Sequence, residues 1–111
     1  ACAAANASTR YIIDNDVPAN AKKMGQLLMD GLTSLRAQHE SIVDVRGMGL
    51  LCAVEFQSDI GAAVVASCNE EGLLLNMVKP NAVRLMPPLT VSESEVNCAV
   101  ERLSAGIGAA A

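Results

Sequence analysis

The feature that most constrains this chain is a pair of β-rich runs, residues 42–46 and 50–56, joined by Gly47-Met48-Gly49. Valine, isoleucine and phenylalanine favour strands. Glycine can take the positive φ that a tight turn between two strands requires. Two such runs with three residues between them are typical of a β-hairpin. We therefore expect these runs to pair antiparallel.

A second pair of β-rich runs follows at residues 73–78 and 82–86, on either side of Lys79-Pro80-Asn81. Proline and asparagine are common in turns. Pro87-Pro88 lacks the N–H donors that a longer strand would need. The sequence thus predicts a second antiparallel hairpin that ends before Pro87.

Two segments before the first hairpin have helical patterns. Residues 1–14 are rich in alanine, and Asn15-Asp16-Val17-Pro18 separates them from a second helix. Aspartate can cap free N–H groups, and proline is tolerated in a first helical turn. The second helix has apolar residues every three or four positions, as an amphipathic helix requires: Ala21, Met24, Leu28, Leu32 and Leu35.

Two further helical segments lie between and after the hairpins. Residues 59–72 show helical spacing, and Gly72 is placed to end that helix. Ser92 and Glu95 form a capping-box pattern at the start of the last helix, which we expect to fray from Gly106 onward. The apolar face of this helix is Val96, Ala99, Val100, Leu103 and Ile107.

The predicted order of elements is ααββαββα, with no internal repeat or linker. This order indicates an α+β fold in which a small, largely antiparallel sheet is covered by helices. Residues 1–111 are interpreted as a single domain. The chain opens with Ala1-Cys2-Ala3-Ala4-Ala5 and no methionine, so we expect it to be a fragment that starts inside a helix.

Composition excludes several classes of protein. The net charge of −4 and the absence of a run of Lys or Arg argue against a nucleic-acid partner. No apolar stretch approaches the ~20 residues that cross a bilayer, so we expect a soluble protein. The four cysteines lie far apart without metal-site or redox spacing, which favours reduced thiols in the cytoplasm. His39 has no ligand set around it and is interpreted as a helix-end or loop residue.

Arg84 is the one candidate binding residue. Because Val83 and Leu85 flank it in a predicted strand, alternation places it on the opposite face of the sheet from them. A guanidinium there can present a two-pronged donor to a carboxylate. An exposed or structurally paired arginine remains the alternative, and Arg46 and Glu55 can likewise be ordinary ends of a hairpin.

Four segments, in order, resemble the C-terminal small domain of the class III (subgroup II) pyridoxal-phosphate (PLP) aminotransferases, closest to the acetylornithine and ornithine enzymes. The first hairpin, residues 42–51 with Val54-Glu55-Phe56, is similar to a hairpin of that domain. Residues 81–91, followed by Ser92-Glu93-Ser94-Glu95, are similar to its second conserved segment. Residues 1–5 and 20–25 resemble two of its helices.

The resemblance implies a fold-type I enzyme that transfers an amino group from acetylornithine or ornithine to 2-oxoglutarate, in arginine biosynthesis or ornithine metabolism. It implies a homodimer in which this domain contacts a large domain. The family's Schiff-base lysine, phosphate site and pyridine-nitrogen aspartate belong to that large domain, so we expect this chain alone to bind no PLP and to be inactive. Arg84 matches the family's substrate-carboxylate arginine. No residue is assigned a catalytic, cofactor-binding or metal-binding role.

Two other interpretations stay open. A ββαββα core is also typical of free-standing modules that bind small molecules or regulate enzymes. A pure dimerisation element is the third interpretation, but it gives Arg84 no role. Within the family, this segment does not separate acetylornithine, succinylornithine, ornithine and 4-aminobutyrate as the amino donor.

Overall fold

The computed structural model describes all 111 residues and contains the eight elements in the predicted order. The helices are α1 (Cys2–Asp14), α2 (Val17–Gln38), α3 (Gly61–Glu70) and α4 (Glu93–Ala110). The strands are β1 (Ile42–Met48), β2 (Leu51–Phe56), β3 (Asn76–Lys79) and β4 (Ala82–Leu85). No helix is both long enough and apolar enough to span a membrane.

The four strands form one sheet in the order β1-β2-β4-β3, and every neighbouring pair is antiparallel. Each predicted hairpin is present, and pairing of β2 with β4 joins the two hairpins. Helices α2 and α3 contact the strands, α4 packs against both of these helices, and all three share one core with the sheet. The α+β prediction, with an antiparallel sheet covered by helices, is confirmed.

The turn of the first hairpin differs from the prediction by two residues. Strand β1 continues through Gly47 to Met48, which pairs with Leu51, so the turn is Gly49-Leu50. Only Gly49 takes a positive φ, of 55°. A Cβ at Gly47 would lie 2.5 Å from the Leu51 carbonyl oxygen. The lack of a side chain at Gly47 therefore allows the two strands to approach closely, and Gly47 is not part of the turn.

The second hairpin is shorter than predicted, because β3 begins at Asn76 rather than at residue 73. Asn76 pairs with Arg84, so an earlier start would place residues 73–75 opposite the segment that holds Pro87 and Pro88. Those prolines have no N–H to donate, and the ladder stops. Residues 73–75 instead follow α3, which ends at Glu70.

The end of α3 forms as predicted at Gly72, whose φ is 77°. The Gly72 N–H donates to the Asn69 carbonyl at 3.0 Å, and the Leu73 N–H donates to the Cys68 carbonyl at 2.8 Å. These two bonds form a Schellman motif, which needs a left-handed residue. At the start of α3, the helix begins at Gly61 rather than at residue 59.

The other helix ends agree only in part with the sequence. The capping box of α4 is present, with the Glu95 N–H donating to Ser92 Oγ and the Ser92 N–H donating to Glu95 Oε2. Asp16 precedes α2 as predicted, but its side chain caps nothing and its backbone is left-handed, with φ 46°. The predicted fraying at Gly106 is wrong: α4 runs to Ala110 because Gly106 is buried against Cys68 of α3.

A core of 17 buried residues lies between the sheet and the three helices. Helix α2 contributes the predicted Met24, Leu28, Leu32 and Leu35, and α4 contributes Val96, Leu103 and Ile107. Phe56 of β2 is the largest fully buried side chain. Helix α1 buries no residue, and Tyr11, Ile12 and Ile13 of this helix are exposed.

Candidate functional site on the open face of the sheet

The face of the sheet opposite the helices is open to solvent, and we call it the open face. Along β2 the burial alternates, so that Cys52, Val54 and Phe56 are buried towards the helices. Ala53 and Glu55 lie between them on the open face and are partly accessible. A sheet with one covered and one open face leaves the second available for ligands or for another part of a larger protein.

Arg84 lies on the open face, as strand alternation predicts. Its neighbours Val83 and Leu85 are buried among the core residues, whereas Arg84 is half-buried on the other side of β4. Met86, just beyond the end of β4, is exposed. The strand therefore fixes the backbone of Arg84, and its side chain lies half-buried on the open face.

Arg84 makes no ion pair. Both ion pairs of the structure involve Arg46, and no carboxylate lies within 4.0 Å of the Arg84 guanidinium. The Nε atom of Arg84 is buried and has no hydrogen-bond partner. Leaving a buried donor unsatisfied costs about 1–3 kcal/mol, and native proteins seldom do so without a reason. The structurally paired alternative for Arg84 is thus absent from this chain.

Arg46 and Glu55 lie on the same face but are already paired. Arg46 Nη1 is 2.7 Å from Asp44 Oδ2 and 2.8 Å from Glu55 Oε2. The hydrogen bond from Arg46 lowers the pKa of the Asp44 carboxyl below its usual value. Strand β1 continues past Arg46 to Met48, so interpreting Arg46 as a hairpin end is wrong, whereas Glu55 is the last residue but one of β2.

The strand register places these groups relative to Arg84. Arg46 pairs with Ala53, Ala53 pairs with Arg84, and Arg84 pairs with Asn76. Arg46 and Arg84 therefore share one row across the open face, separated by β2. Because neighbouring strands lie about 4.7–4.9 Å apart, the two arginine Cα atoms are roughly 10 Å apart.

A loop rim borders the open face at the end where β4 stops. It consists of the β1–β2 turn at Gly49 and the segment from Met86 to Val91. Gly49, Met86 and Leu89 of this rim line one shallow cleft with Ala21 of α2. Asn20 of α2 donates through Nδ2 to the Leu89 carbonyl at 2.8 Å and to the Val91 carbonyl at 3.1 Å. Sequence reasoning missed Asn20, because nothing local indicates a partner 69 residues away.

Gly25 of α2 contacts the other part of the loop rim, the β1–β2 turn at Gly49. A Cβ at this position would overlap the carbonyl group of Gly49 and would lie 2.7 Å from its Cα. The absence of a side chain at Gly25 thus allows the hairpin turn to rest directly on α2. Asn20 and Gly25, five residues apart on α2, thus each hold one of the two loops of the rim against this helix.

The remaining reactive groups do not form a site. All three lysines, Lys22, Lys23 and Lys79, are exposed. His39 ends α2, as predicted, and its Nε2 lies 2.9 Å from Ser104 Oγ. Burial raises the pKa of the Cys52 and Cys68 thiols, and all four cysteines are free. No group of three or more potential metal ligands is present.

The residues of this chain do not fit PLP as a binding site of their own. Phe56 is fully buried in the core and Tyr11 is exposed on α1, so neither aromatic ring is placed beside Arg84 to stack on a pyridine ring. No lysine is desolvated as a Schiff-base amine usually is. The open face instead presents the guanidinium of Arg84, a group that can bind a carboxylate.

Comparison with known proteins agrees with this architecture. Residues 1–107 match the family model described as aminotransferase class-III. An acetylornithine aminotransferase of Methanothermobacter thermautotrophicus is 32% identical over 92% of this chain and 26% of its own length. The acetylornithine aminotransferase of Bifidobacterium longum is 41% identical over 88% of the chain and 22% of its length. The chain thus spans about a quarter of the curated relatives it matches.

Solved structures give the same result. The acetylornithine aminotransferase of Elizabethkingia anophelis superposes with a TM-score of 0.89 at 29% identity, over 96% of this chain and 29% of that one. A Bacillus anthracis aminotransferase superposes with a TM-score of 0.90 at 27% identity, over 96% of this chain and 27% of that one.

Proposed function

This chain belongs to the class-III aminotransferases, and from that membership we propose that it is the C-terminal small domain of a PLP-dependent acetylornithine or ornithine aminotransferase. The enzyme would transfer the amino group to 2-oxoglutarate, in arginine biosynthesis or ornithine metabolism. The names of the relatives support this substrate class. Their length, about four times that of the matched region, supports a single domain of a larger enzyme.

The observation that carries the proposal is the unpartnered guanidinium of Arg84 on the open face. Both the amino donor and the 2-oxo acid carry a carboxylate, and a guanidinium can donate two parallel N–H···O bonds to it. Strand β4 fixes the backbone of Arg84 between two buried residues, and the buried Nε shows that part of its side chain is already ordered before binding. Arg84 would bind and orient the substrate carboxylate.

Other parts of the enzyme would supply the cofactor site. Since no lysine or aromatic residue here is placed for PLP, we expect the isolated chain to be inactive. The open face and the exposed apolar side chains of α1, among them Tyr11 and Ile13, suit contact with a large domain and with the second subunit of a homodimer. Four free thiols are consistent with a cytoplasmic enzyme.

The test is aminotransferase activity of the full-length enzyme with Arg84→Lys and Arg84→Ala. An ammonium group cannot form two parallel hydrogen bonds, so Lys should not rescue binding. Loss of a charge-assisted contact of about 1.5–3 kcal/mol should lower kcat/KM for acetylornithine roughly 10- to 100-fold. PLP absorbance and Tm should stay near the parent values.

The matched control is Arg102→Lys. Arg102 lies on α4, on the helix side of the sheet, and donates through Nη1 to the Gly72 carbonyl at 3.0 Å, a bond that lysine can also make. This variant should keep the parent kcat/KM. Unchanged kinetics in Arg84→Ala would remove Arg84 from the substrate site.

A further inference from the structure

We propose that Asn76 is a positioning residue for Arg84. Its carboxamide oxygen accepts the Nε–H of Arg84 and so turns the two terminal nitrogens of the guanidinium towards the substrate carboxylate. This inference rests on the proposed role of Arg84 as the carboxylate receptor. Because an amide is neutral, Asn76 orients the guanidinium without neutralising it, and the arrangement suits the amino donor and 2-oxoglutarate alike.

The first observation is that Asn76 lies directly beside Arg84. The two residues are paired in the antiparallel register of β3 and β4. Residues opposite each other in such a pair point to the same face, with Cβ atoms about 4.5–5.5 Å apart. Met77 gives the direction independently, because its Cγ lies 3.2 Å from where a Cβ of Gly61 in α3 would be. Met77 thus points to the helix side, and alternation places Asn76 on the open face.

The second observation is the unsatisfied donor of Arg84. Its Nε atom is buried and has no hydrogen-bond partner. Solvent does not reach this atom, so bulk water cannot take the place of a protein acceptor. A side chain that already lies next to the arginine is the best placed group to accept this hydrogen bond.

The third observation is that the other neighbours of Arg84 across β2 offer no acceptor of this kind. Ala53, directly opposite Arg84, has only a methyl group. Glu55, diagonal to Arg84, is bound to Arg46 at 2.8 Å. Asn76 is exposed on β3, which is an edge strand, so its carboxamide can turn towards Arg84. Of the two cross-strand partners of Arg84, only Asn76 carries a neutral acceptor.

The charge of the residue at position 76 matters as much as its oxygen. With Nε bonded to the amide oxygen of Asn76, Nη1 and Nη2 of Arg84 stay available for two parallel bonds to one carboxylate. An aspartate at this position would pair with the guanidinium and compete with the substrate. An alanine would only leave Nε without a partner. Aspartate should therefore weaken substrate binding more than alanine does.

The experiment uses the full-length holoenzyme with Asn76→Ala and Asn76→Asp. The readouts are kcat and the Ki of valerate, a monocarboxylate, as a competitive inhibitor against the amino donor. Asn76→Ala should raise this Ki about three- to tenfold, because one hydrogen bond is lost. Asn76→Asp should raise it at least about tenfold, because a charge-assisted pair forms in place of the substrate contact. In both variants kcat should change less than Ki, since Asn76 contacts no reacting atom.

A double-mutant cycle shows whether Asn76 acts through Arg84. In an Arg84→Ala background, adding Asn76→Ala or Asn76→Asp should change the Ki of valerate by less than about twofold. The matched control is Asn97→Asp, which changes the net charge equally at an exposed position of α4. This control should keep the parent Ki, and the Tm of each Asn76 variant should stay near that of the parent.

Three results would overturn the role of Asn76. These are a parent-like Ki in both Asn76 variants, an Asn76→Asp effect no larger than that of Asn76→Ala, and effects of the same size with and without Arg84. The proposed function is tested separately by Arg84→Ala. If Arg84→Ala weakens valerate binding and the Asn76 variants do not, the proposal for Asn76 fails and the role of Arg84 stands.

Discussion

Replacing Gly106 by alanine should destabilise the chain, although alanine is the better helix former. Gly106 lies in α4 where this helix crosses α3, and a Cβ there would overlap Cys68 Sγ and lie 3.2 Å from the Cys68 backbone nitrogen. Overpacking of a core usually costs about 1–3 kcal/mol, and the helix propensity of alanine returns about 1 kcal/mol of this. We expect a net loss of up to about 2 kcal/mol in the free energy of unfolding.

A second substitution, Cys68→Ala, completes a double-mutant cycle with Gly106→Ala. It removes the sulfur that the new methyl group at position 106 would contact. The double variant should be more stable than the sum of the two single effects predicts, by about 1–2 kcal/mol, because the methyl group then occupies the space left by Sγ. The free energy of unfolding of the parent, the two single variants and the double variant is measured by urea unfolding of the 111-residue chain under reducing conditions.

Gly108→Ala is the matched control in the same helix. Gly108 is exposed, and a Cβ there would meet only the His39 ring carbon Cε1, at 3.9 Å. Its substitution should therefore stabilise the chain by up to about 1 kcal/mol. Equal effects at positions 106 and 108, or strict additivity of Gly106→Ala and Cys68→Ala, would show that the contact between α3 and α4 is not as tight as described.

Two further predictions concern the loop rim and α4. Asn20→Ala in the full-length enzyme removes two hydrogen bonds worth about 0.5–1.5 kcal/mol each. The KM for the amino donor should therefore rise more than kcat falls. The control Gln26→Ala removes only the surface bond to Asp30 and should change neither KM nor kcat. Hydrogen bonds from Ser92 lower the pKa of Glu95 in the folded state. The ionised Glu95 carboxylate therefore stabilises the fold fully above the unfolded pKa of about 4.3. This stabilisation is lost as the pH falls through the lower pKa of the folded state. Urea midpoints at neutral and acidic pH should therefore differ less in Glu95→Gln than in the parent, and an identical pH dependence would refute this role of Glu95.

Features that depend on neighbours in sequence could be predicted from the sequence. The capping box at Ser92, the left-handed Gly72 and the outward direction of Arg84 each follow from a few adjacent residues. The sequence pattern misplaces the first turn because Gly47 and Gly49, two positions apart, serve different purposes: Gly49 forms the turn, and Gly47 allows a close strand contact. Local patterns do not distinguish those two uses.

The environment of the candidate site could not be predicted in the same way. That Arg84 lacks a carboxylate while Arg46 has two depends on the register between three strands. The bonds from Asn20 to Leu89 and Val91 depend on how α2 lies against a loop at the far end of the sequence. The extension of α4 past Gly106 depends on packing against Cys68, which outweighs the low helix propensity of glycine.

The sheet order has a consequence for how the chain folds. Hairpins β1–β2 and β3–β4 close two-residue turns and can each form within about 1–10 μs. Pairing of β2 with β4 must wait until the chain between Phe56 and Ala82, including α3, has been gathered into a loop. The bond from Asn20 to Leu89 closes a still longer loop, of 69 residues. The segment that follows Arg84 is therefore joined to α2 by hydrogen bonds of high sequence separation, and we expect this end of the domain to be completed after both hairpins.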